Sequence, residues 1–208
     1  MLRNVIYIMS SIILFFFGII VYGVIINLRE TPLKDALEEK EIAKISNPSI
    51  VVDRRNYTLS LYSDTILVKQ YSAVFGRNSG SVKISKSDFI TPTGKYIICK
   101  IDTNYTYYKK LYLDFPNLAD ASEALRNKII TKDEFLEISN SLKFNQCSSG
   151  NTVLGSDIGI QGIGEYDVIF RNLPFVFNWT NGSIAISNEN IDELLSVVKI
   201  GTKVTIKN

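Results

Sequence analysis

Residues 5–28 hold no charged side chain and are apolar almost throughout, reading Val-Ile-Tyr-Ile-Met-Ser-Ser-Ile-Ile-Leu-Phe-Phe-Phe-Gly-Ile-Ile-Val-Tyr-Gly-Val-Ile-Ile-Asn-Leu. About 20 such residues suffice for a helix to cross a hydrocarbon core of roughly 30 Å. A run of this length at one end of a chain has few other fates. The core helix of a water-soluble domain is usually shorter, and a secretory signal has an apolar core of about 7–15 residues followed by a small-x-small cleavage site. No Ala-x-Ala pattern follows here. The expectation is one uncleaved spanning helix, an anchor over residues 1–28, with the rest of the chain outside the bilayer. Charge says little about its orientation: Arg3 precedes the span, while Arg29 and Lys34 follow it among Glu30 and Asp35.

The anchor also inflates the 46% hydrophobic content. The remaining charge is nearly balanced, +2 overall, and its Lys and Arg residues are scattered. Nucleic-acid binding would need a concentrated basic patch, so no nucleic-acid partner is expected. The chain has no histidine, and neither Cys99 nor Cys147 belongs to a C-x-x-C or other metal-type spacing. No metal and no cofactor is therefore expected. Cys99 lies in a strand-like run, Tyr-Ile-Ile-Cys-Lys, and reads as a small buried residue. Cys147 lies in a polar run, Asn-Gln-Cys-Ser-Ser-Gly. In an oxidising compartment the two could pair, which spacing alone leaves open.

Beyond the anchor, Thr31 and Pro32 suit the cap and first position of a helix whose apolar face is Leu33, Ala36 and Leu37. The reading is a short charged stalk over residues 29–48, ending at Asn47-Pro48. From Ser49 the pattern changes to short β runs: 49–53, 57–62 with clean alternation, 66–74 and 95–101, separated by turn residues and a Gly/Ser-rich loop from Gly76 to Ser81. Helical spacing returns over 118–127. Thr131 with Glu134 makes a capping box for a helix over 131–142. Near the C-terminus, Ser187 or Asn188 caps a helix over 189–198, with Asp192 and Glu193 placed in its first turn and Gly201 ending it. Lys203-Val-Thr-Ile closes the chain as a strand. The fold class expected for 49–208 is a mostly β domain, sandwich or barrel-like, with a few helices.

Five stretches carry a resemblance to a known family. They are Asp88-Phe-Ile-Thr-Pro-Thr-Gly-Lys-Tyr, Leu111-Tyr-Leu-Asp-Phe-Pro-Asn-Leu-Ala-Asp, Leu154-Gly-Ser-Asp-Ile-Gly-Ile-Gln-Gly, Trp179-Thr-Asn-Gly-Ser-Ile-Ala-Ile-Ser-Asn and Gly201-Thr-Lys-Val-Thr-Ile. Taken in order, they resemble the segments of the L,D-transpeptidase (YkuD) family over roughly Ser49 to Lys207. The resemblance implies an envelope protein whose domain faces away from the cytoplasm. It implies as partner the stem peptides of peptidoglycan or a cell-wall protein. It also implies a cysteine nucleophile that forms an acyl-enzyme, assisted by a histidine.

Neither of those two residues is present. The cysteine position is Ser183 and the histidine position is Gln161, while Gly162, Trp179, Thr180 and Gly182 keep the motif's form. A serine hydroxyl needs a base more than a thiol does, and glutamine has no titratable nitrogen. The expectation is a catalytically impaired pseudoenzyme that binds stem peptides or a wall-associated protein. Two other readings stand beside it: an active transpeptidase or hydrolase using Ser183 with a substitute base, for which Glu165 and Asp167 are the nearby carboxylates, and a non-catalytic envelope scaffold.

Overall fold

The computed structural model describes residues 2–27, 30–80, 82–143, 147–148, 150–170 and 177–208. Leu28 and Arg29, at the expected end of the span, Ser81 of the Gly/Ser-rich loop, and part of the polar run around Cys147 lie outside the described residues. Helix α1 covers Leu2–Asn27, and its Arg3–Ile25 stretch is long and apolar enough to cross a membrane. Its large apolar side chains face outward rather than into a protein core, as a lipid-facing helix requires.

Helix α2 covers Leu33–Glu39, shorter than the stalk expected over 29–48. It starts one residue later than Thr31-Pro32 suggested: Pro32 occupies the cap position, and no side chain caps the helix. Nor does α2 stand clear of the domain. Leu33 and Ala36 are buried, and Leu33 belongs to the main apolar core. The Leu33 N–H donates to Glu193 Oε1 at 2.8 Å, and Asn190 Nδ2 donates to Glu30 Oε1 at 2.8 Å. The apolar face read from the sequence is thus covered by the domain itself.

The domain is built on one mixed sheet of 8 strands in the order β3-β2-β1-β8-β4-β5-β6-β7. The strands are β1 (Pro48–Asp53), β2 (Thr58–Ser63), β3 (Ile66–Ser72), β4 (Gly94–Tyr105), β5 (Tyr108–Leu113), β6 (Gly159–Gln161), β7 (Ile184–Ala185) and β8 (Lys203–Lys207). Strands β1 to β3 are an antiparallel meander, and β8 returns from the far end of the chain to pair with β1 in parallel, Ile50 beside Val204. The long β4 serves two halves of the sheet. Residues 94–97 pair with β8, whereas from Ile98 onward the partner is β5, and the register shifts between Ile98 and Lys100. An extra residue at such a shift bends a strand, which lets one strand turn the corner of a barrel-like sheet. The two ends of the sheet then meet: Val74, just after β3, and Ala185 of β7 exchange two backbone hydrogen bonds of 2.9 Å. This closure matches the barrel-like β fold expected from the sequence.

The core between these strands collects the alternating residues Ile50, Val52, Leu59, Leu61, Ile98, Leu111 and Leu113 with Ile160, Ile184, Leu194 and Val204. Helices α3 (Leu118–Arg126), α4 (Lys132–Lys143) and α6 (Asn188–Val197) fall within two residues of their expected bounds. The reason is that their caps are local chemistry. Glu134 Oε2 accepts from the Thr131 N–H at 2.7 Å, and Thr131 Oγ1 accepts from the Glu134 N–H at 3.2 Å. Ser187, rather than Asn188, caps α6.

Asp192 and Glu193 are not in the first turn of α6, where Glu189 is the acidic residue. They are instead tertiary partners. Asp192 accepts from Lys109 Nζ at 2.6 Å, and Glu193 accepts from Lys69 Nζ at 2.6 Å. Cys99 on β4 and Cys147 after α4 form a disulfide with their Cα atoms 5.2 Å apart, so the pairing left open by the spacing is made, and Cys99 is half-buried where its strand suggested a buried residue.

Candidate active site

Two short parallel strands set the position of the site. Pairing of β6 with β7 places Gln161 beside Ala185 and Ile160 beside Ile184, so Ser183 lies immediately before the strand that adjoins Gln161. Both side chains are buried, and both line a cavity of about 70 Å³ that also takes in Tyr105, Tyr107 and Lys110. The structure thus brings together the two positions where the resemblance puts nucleophile and base. A second cavity, of about 350 Å³, shares Asp157 and Asn181 with the first and has Lys86, Phe89 and Gly155 along its walls. The two cavities adjoin at these shared residues.

The Trp-Thr-Asn-Gly run builds the turn that presents Ser183. Thr180 Oγ1 donates to the Ser183 carbonyl at 2.6 Å and accepts from the Gly182 N–H at 3.2 Å, closing the turn on itself. Gly182 has φ of 117°, and a Cβ there would come within 2.7 Å of the Ile90 carbonyl oxygen. Only glycine fits both conditions. Gly162 is required by space: a Cβ would meet Asn188 Oδ1 at 2.7 Å and the Tyr107 carbonyl oxygen at 2.9 Å. Trp179 lines the small cavity and meets the Tyr107 ring edge-on, with centroids 5.6 Å apart. It is a wall of the cavity rather than a reactive group.

The Asp88 stretch sits under the same turn. Gly76 N–H donates to the buried Thr91 hydroxyl at 2.9 Å, and Gly76 forms an isolated bridge with Thr180. The Asp88 carboxylate gathers the N–H groups of Ile84, Ser85 and Ile90 and the Lys83 ammonium. The Asp88 and Thr91 contacts fold the loop between β3 and β4 on itself, and the Gly76–Thr180 bridge joins that loop to the Ser183 turn.

Two carboxylates offered by the sequence as substitute bases lie elsewhere. Glu165 is exposed, and neither Glu165 nor Asp167 lines the cavity. Asp167 is buried and accepts from the Asn188 N–H at 3.2 Å, tying its short helix, α5 (Asp167–Phe170), to the start of α6. The residue that sequence reasoning missed is Lys110. It is 1% exposed, and its Nζ donates to the Asp157 carboxylate at 2.8 Å, the Asp157 carbonyl at 3.1 Å and the Tyr105 hydroxyl at 3.2 Å. The Tyr105 and Tyr112 rings both pack on it, their centroids 4.5 and 4.9 Å from the ammonium. Burial pushes the Lys110 pKa below its ordinary value, and the Asp157 carboxylate opposes the shift. In sequence Lys110 is half of a Lys-Lys pair, which reads as solvated surface. Only the pairing of β5 with β6 turns it inward. Among the described residues, no group of three His, Cys, Asp or Glu side chains is placed to hold a metal ion.

No curated protein sequence matches the chain. Similar folds occur among solved structures. The helical cell shape determining protein Pgp2 from Campylobacter jejuni superposes with a TM-score of 0.51 and 17% identity over 85% of this chain and 54% of that one. Bd1075 from Bdellovibrio bacteriovorus gives a TM-score of 0.48 and 19% identity over 78% and 48%, and an L,D-transpeptidase from Mycobacterium tuberculosis gives 0.46 and 12% over 78% and 58%. The chain therefore spans about half the length of these proteins, and at such identities the likeness is one of fold. The L,D-transpeptidase catalytic domain model, YkuD, matches residues 47–206, nearly the whole sheet and both halves of the cavity. This chain belongs to the YkuD family of L,D-transpeptidase catalytic domains.

Proposed function

We propose that this protein is a single-span, membrane-anchored member of the family in the cell envelope. Its cleft binds peptidoglycan stem peptides, and the thiolate–imidazole route of acyl transfer is closed to it. The observation that carries the reading is the selective pattern of change. The turn-forming residues Thr180 and Gly182 and the tight contact at Gly162 are intact, while Ser183 and Gln161 replace thiol and imidazole. A scaffold with no ligand would have no need of two adjoining cavities at this point. The Cys99–Cys147 disulfide supports a domain outside the reducing cytoplasm. Lys86, at the wall of the larger cavity, offers an exposed cation to the carboxylates of an acidic peptide.

The test is binding of purified stem peptides to the full-length protein in lipid nanodiscs, read by isothermal calorimetry. Saturable binding is expected, weakened about tenfold by Lys86→Glu, a loss of roughly 1.4 kcal/mol. Absence of binding to a correctly folded protein would count against the ligand assignment and favour a scaffold that packs on another envelope protein.

A further inference from the structure

Ser183 and Lys110 meet at one atom. Ser183 Oγ donates to the Asp157 carbonyl at 3.2 Å, and Lys110 Nζ donates to the same oxygen at 3.1 Å. Hydroxyl and amine are therefore within two hydrogen-bond lengths of each other, in the same cavity. The register of the sheet explains the placement. Lys110 of β5 is the direct antiparallel neighbour of Gln161 of β6, and cross-strand neighbours project from the same face. The amine thus stands next to the position that the resemblance gives to the family's histidine.

The geometry points to Ser183 and Lys110 as a hydroxyl–amine pair for acyl transfer, with Ser183 the nucleophile and Lys110 its general base. Serine–lysine pairs serve this purpose on other folds, so the chemistry asks nothing unusual of either group. The pair takes its substrate class, a peptide carbonyl, from the binding reading above and rests on that reading. Neutral Lys110 accepts the Ser183 proton as Oγ bonds to the carbonyl carbon. The tetrahedral intermediate collapses with rupture of the C–N bond, and the departing amine takes the proton from Lys110. An ester on Ser183 remains. Water or an acceptor amine then attacks it, gives a proton to Lys110, and Ser183 leaves as the hydroxyl by taking that proton back. Ser183 and Lys110 end as they began.

The resting arrangement shows what limits the rate. Lys110 as an ammonium is a donor to Asp157, and Ser183 donates to the same carbonyl, so neither activates the other. Loss of one proton gives the amine a lone pair, and the Ser183 hydroxyl can then turn from the shared Asp157 carbonyl to donate to it. The groups that face Lys110 are the Asp157 carboxylate from the segment before β6, Tyr105 and Asp102 from β4 and Tyr112 from its own strand. Burial favours the neutral amine, and the two carboxylates favour the cation. The pair should therefore work slowly at neutral pH and faster in alkali.

The test uses full-length protein in nanodiscs with a carbapenem, whose strained amide is an acyl donor. Adducts are followed by intact mass, and the acylated residue is located by peptide mapping, between about pH 7 and pH 10. The expected result is an adduct on Ser183 whose rate rises about tenfold per pH unit until Lys110 is neutral. Ser183→Ala should form none. Lys110→Arg keeps a cation for Asp157 but cannot release its proton, and should lower the rate by at least about 100-fold with a flat pH profile. Retained stem-peptide binding checks that this variant folds, and if it does not, the wild-type pH profile and Ser183→Ala decide the matter. No adduct at any pH, an adduct on Lys110 itself, or an unchanged profile in folded Lys110→Arg would each overturn the pair. Binding of stem peptides without acylation would overturn the pair and leave the binding reading standing. Acylation of Ser183 without stem-peptide binding would do the reverse.

Discussion

Asp120 shows how one side chain can hold both a local and a long-range role. Its carboxylate accepts from the Asn117 N–H at 3.0 Å, completing a capping box at the start of α3, and from the Tyr96 hydroxyl at 3.3 Å. Burial raises its pKa from 3.8 to about 6, against the hydrogen bonds from Asn117 and Tyr96 that lower it. The sign follows from proton counting. Between these two values the folded state holds more protons than the unfolded state, so stability falls as pH rises through this window. The group's contribution is fully present below pH 3.8 and lost above about pH 6. Its size is on the order of 3 kcal/mol, from about 1.4 kcal/mol per pKa unit over the interval from 3.8 to about 6. Asp120→Asn cannot titrate but can still accept through its amide oxygen. Urea denaturation at several pH values should show the wild-type slope between pH 4 and 6 reduced in this variant. An identical slope in both proteins would assign the titration to another group.

At the scale of elements, what could be read from the sequence was whatever is settled within a few residues. The helices at 118–127, 131–142 and 189–198 are set by caps and 3.6-residue spacing, and the structure moves them by two residues or fewer. The alternating strands are likewise local patterns. Two-residue β7 has no pattern to read, because it exists only through its pairing with β6 and the bridge from Val74. Lys110 and Asp157 are far apart in sequence and meet only through the order of the sheet, so the resemblance located Ser183 and Gln161 but could not locate the amine beside them. The Cys99–Cys147 link belongs to the same class. It closes a loop of 48 residues and pins the segment after α4 to β4. In the chain-entropy model such a closure is worth about 4 kcal/mol. Reduction, or Cys99→Ala with Cys147→Ala, should lower the unfolding free energy by about 2–4 kcal/mol in chemical denaturation. Equal midpoints with and without reductant, after reduction is confirmed by mass, would show that the bond restrains nothing.

For the whole molecule, the docking of α2 changes how the anchor and the domain relate. Only three residue steps separate Asn27, the last residue of α1, from Glu30, which is bonded to Asn190 of α6. An extended chain covers at most about 3.6 Å per residue, so that interval spans roughly 10 Å. Were α1 to span a bilayer, this short interval would hold the face of the domain made by β3 and α6 near the membrane surface. The fastening is apolar at Leu33 and Ala36 and polar at Glu30 and Glu193, whose carboxylates also face the buried Lys69. Burying a leucine side chain stabilises by about 1.5–3 kcal/mol, and a carboxylate in its place adds a desolvation cost. Leu33→Asp should therefore release residues 30–47 without unfolding the sheet, because β1 begins only at Pro48. The freed segment would let the domain move up to about 60 Å from the end of α1. Limited trypsin digestion in nanodiscs measures the release. Cleavage after Lys34, Lys40 and Lys44 requires an opened backbone, so its rate follows the population of the undocked state. A loss of about 2 kcal/mol raises that population, and hence the cleavage rate, by roughly 30-fold. Equal rates in wild type and Leu33→Asp would mean that α2 is already free in the native protein, and that the domain does stand off from the membrane on a flexible tether.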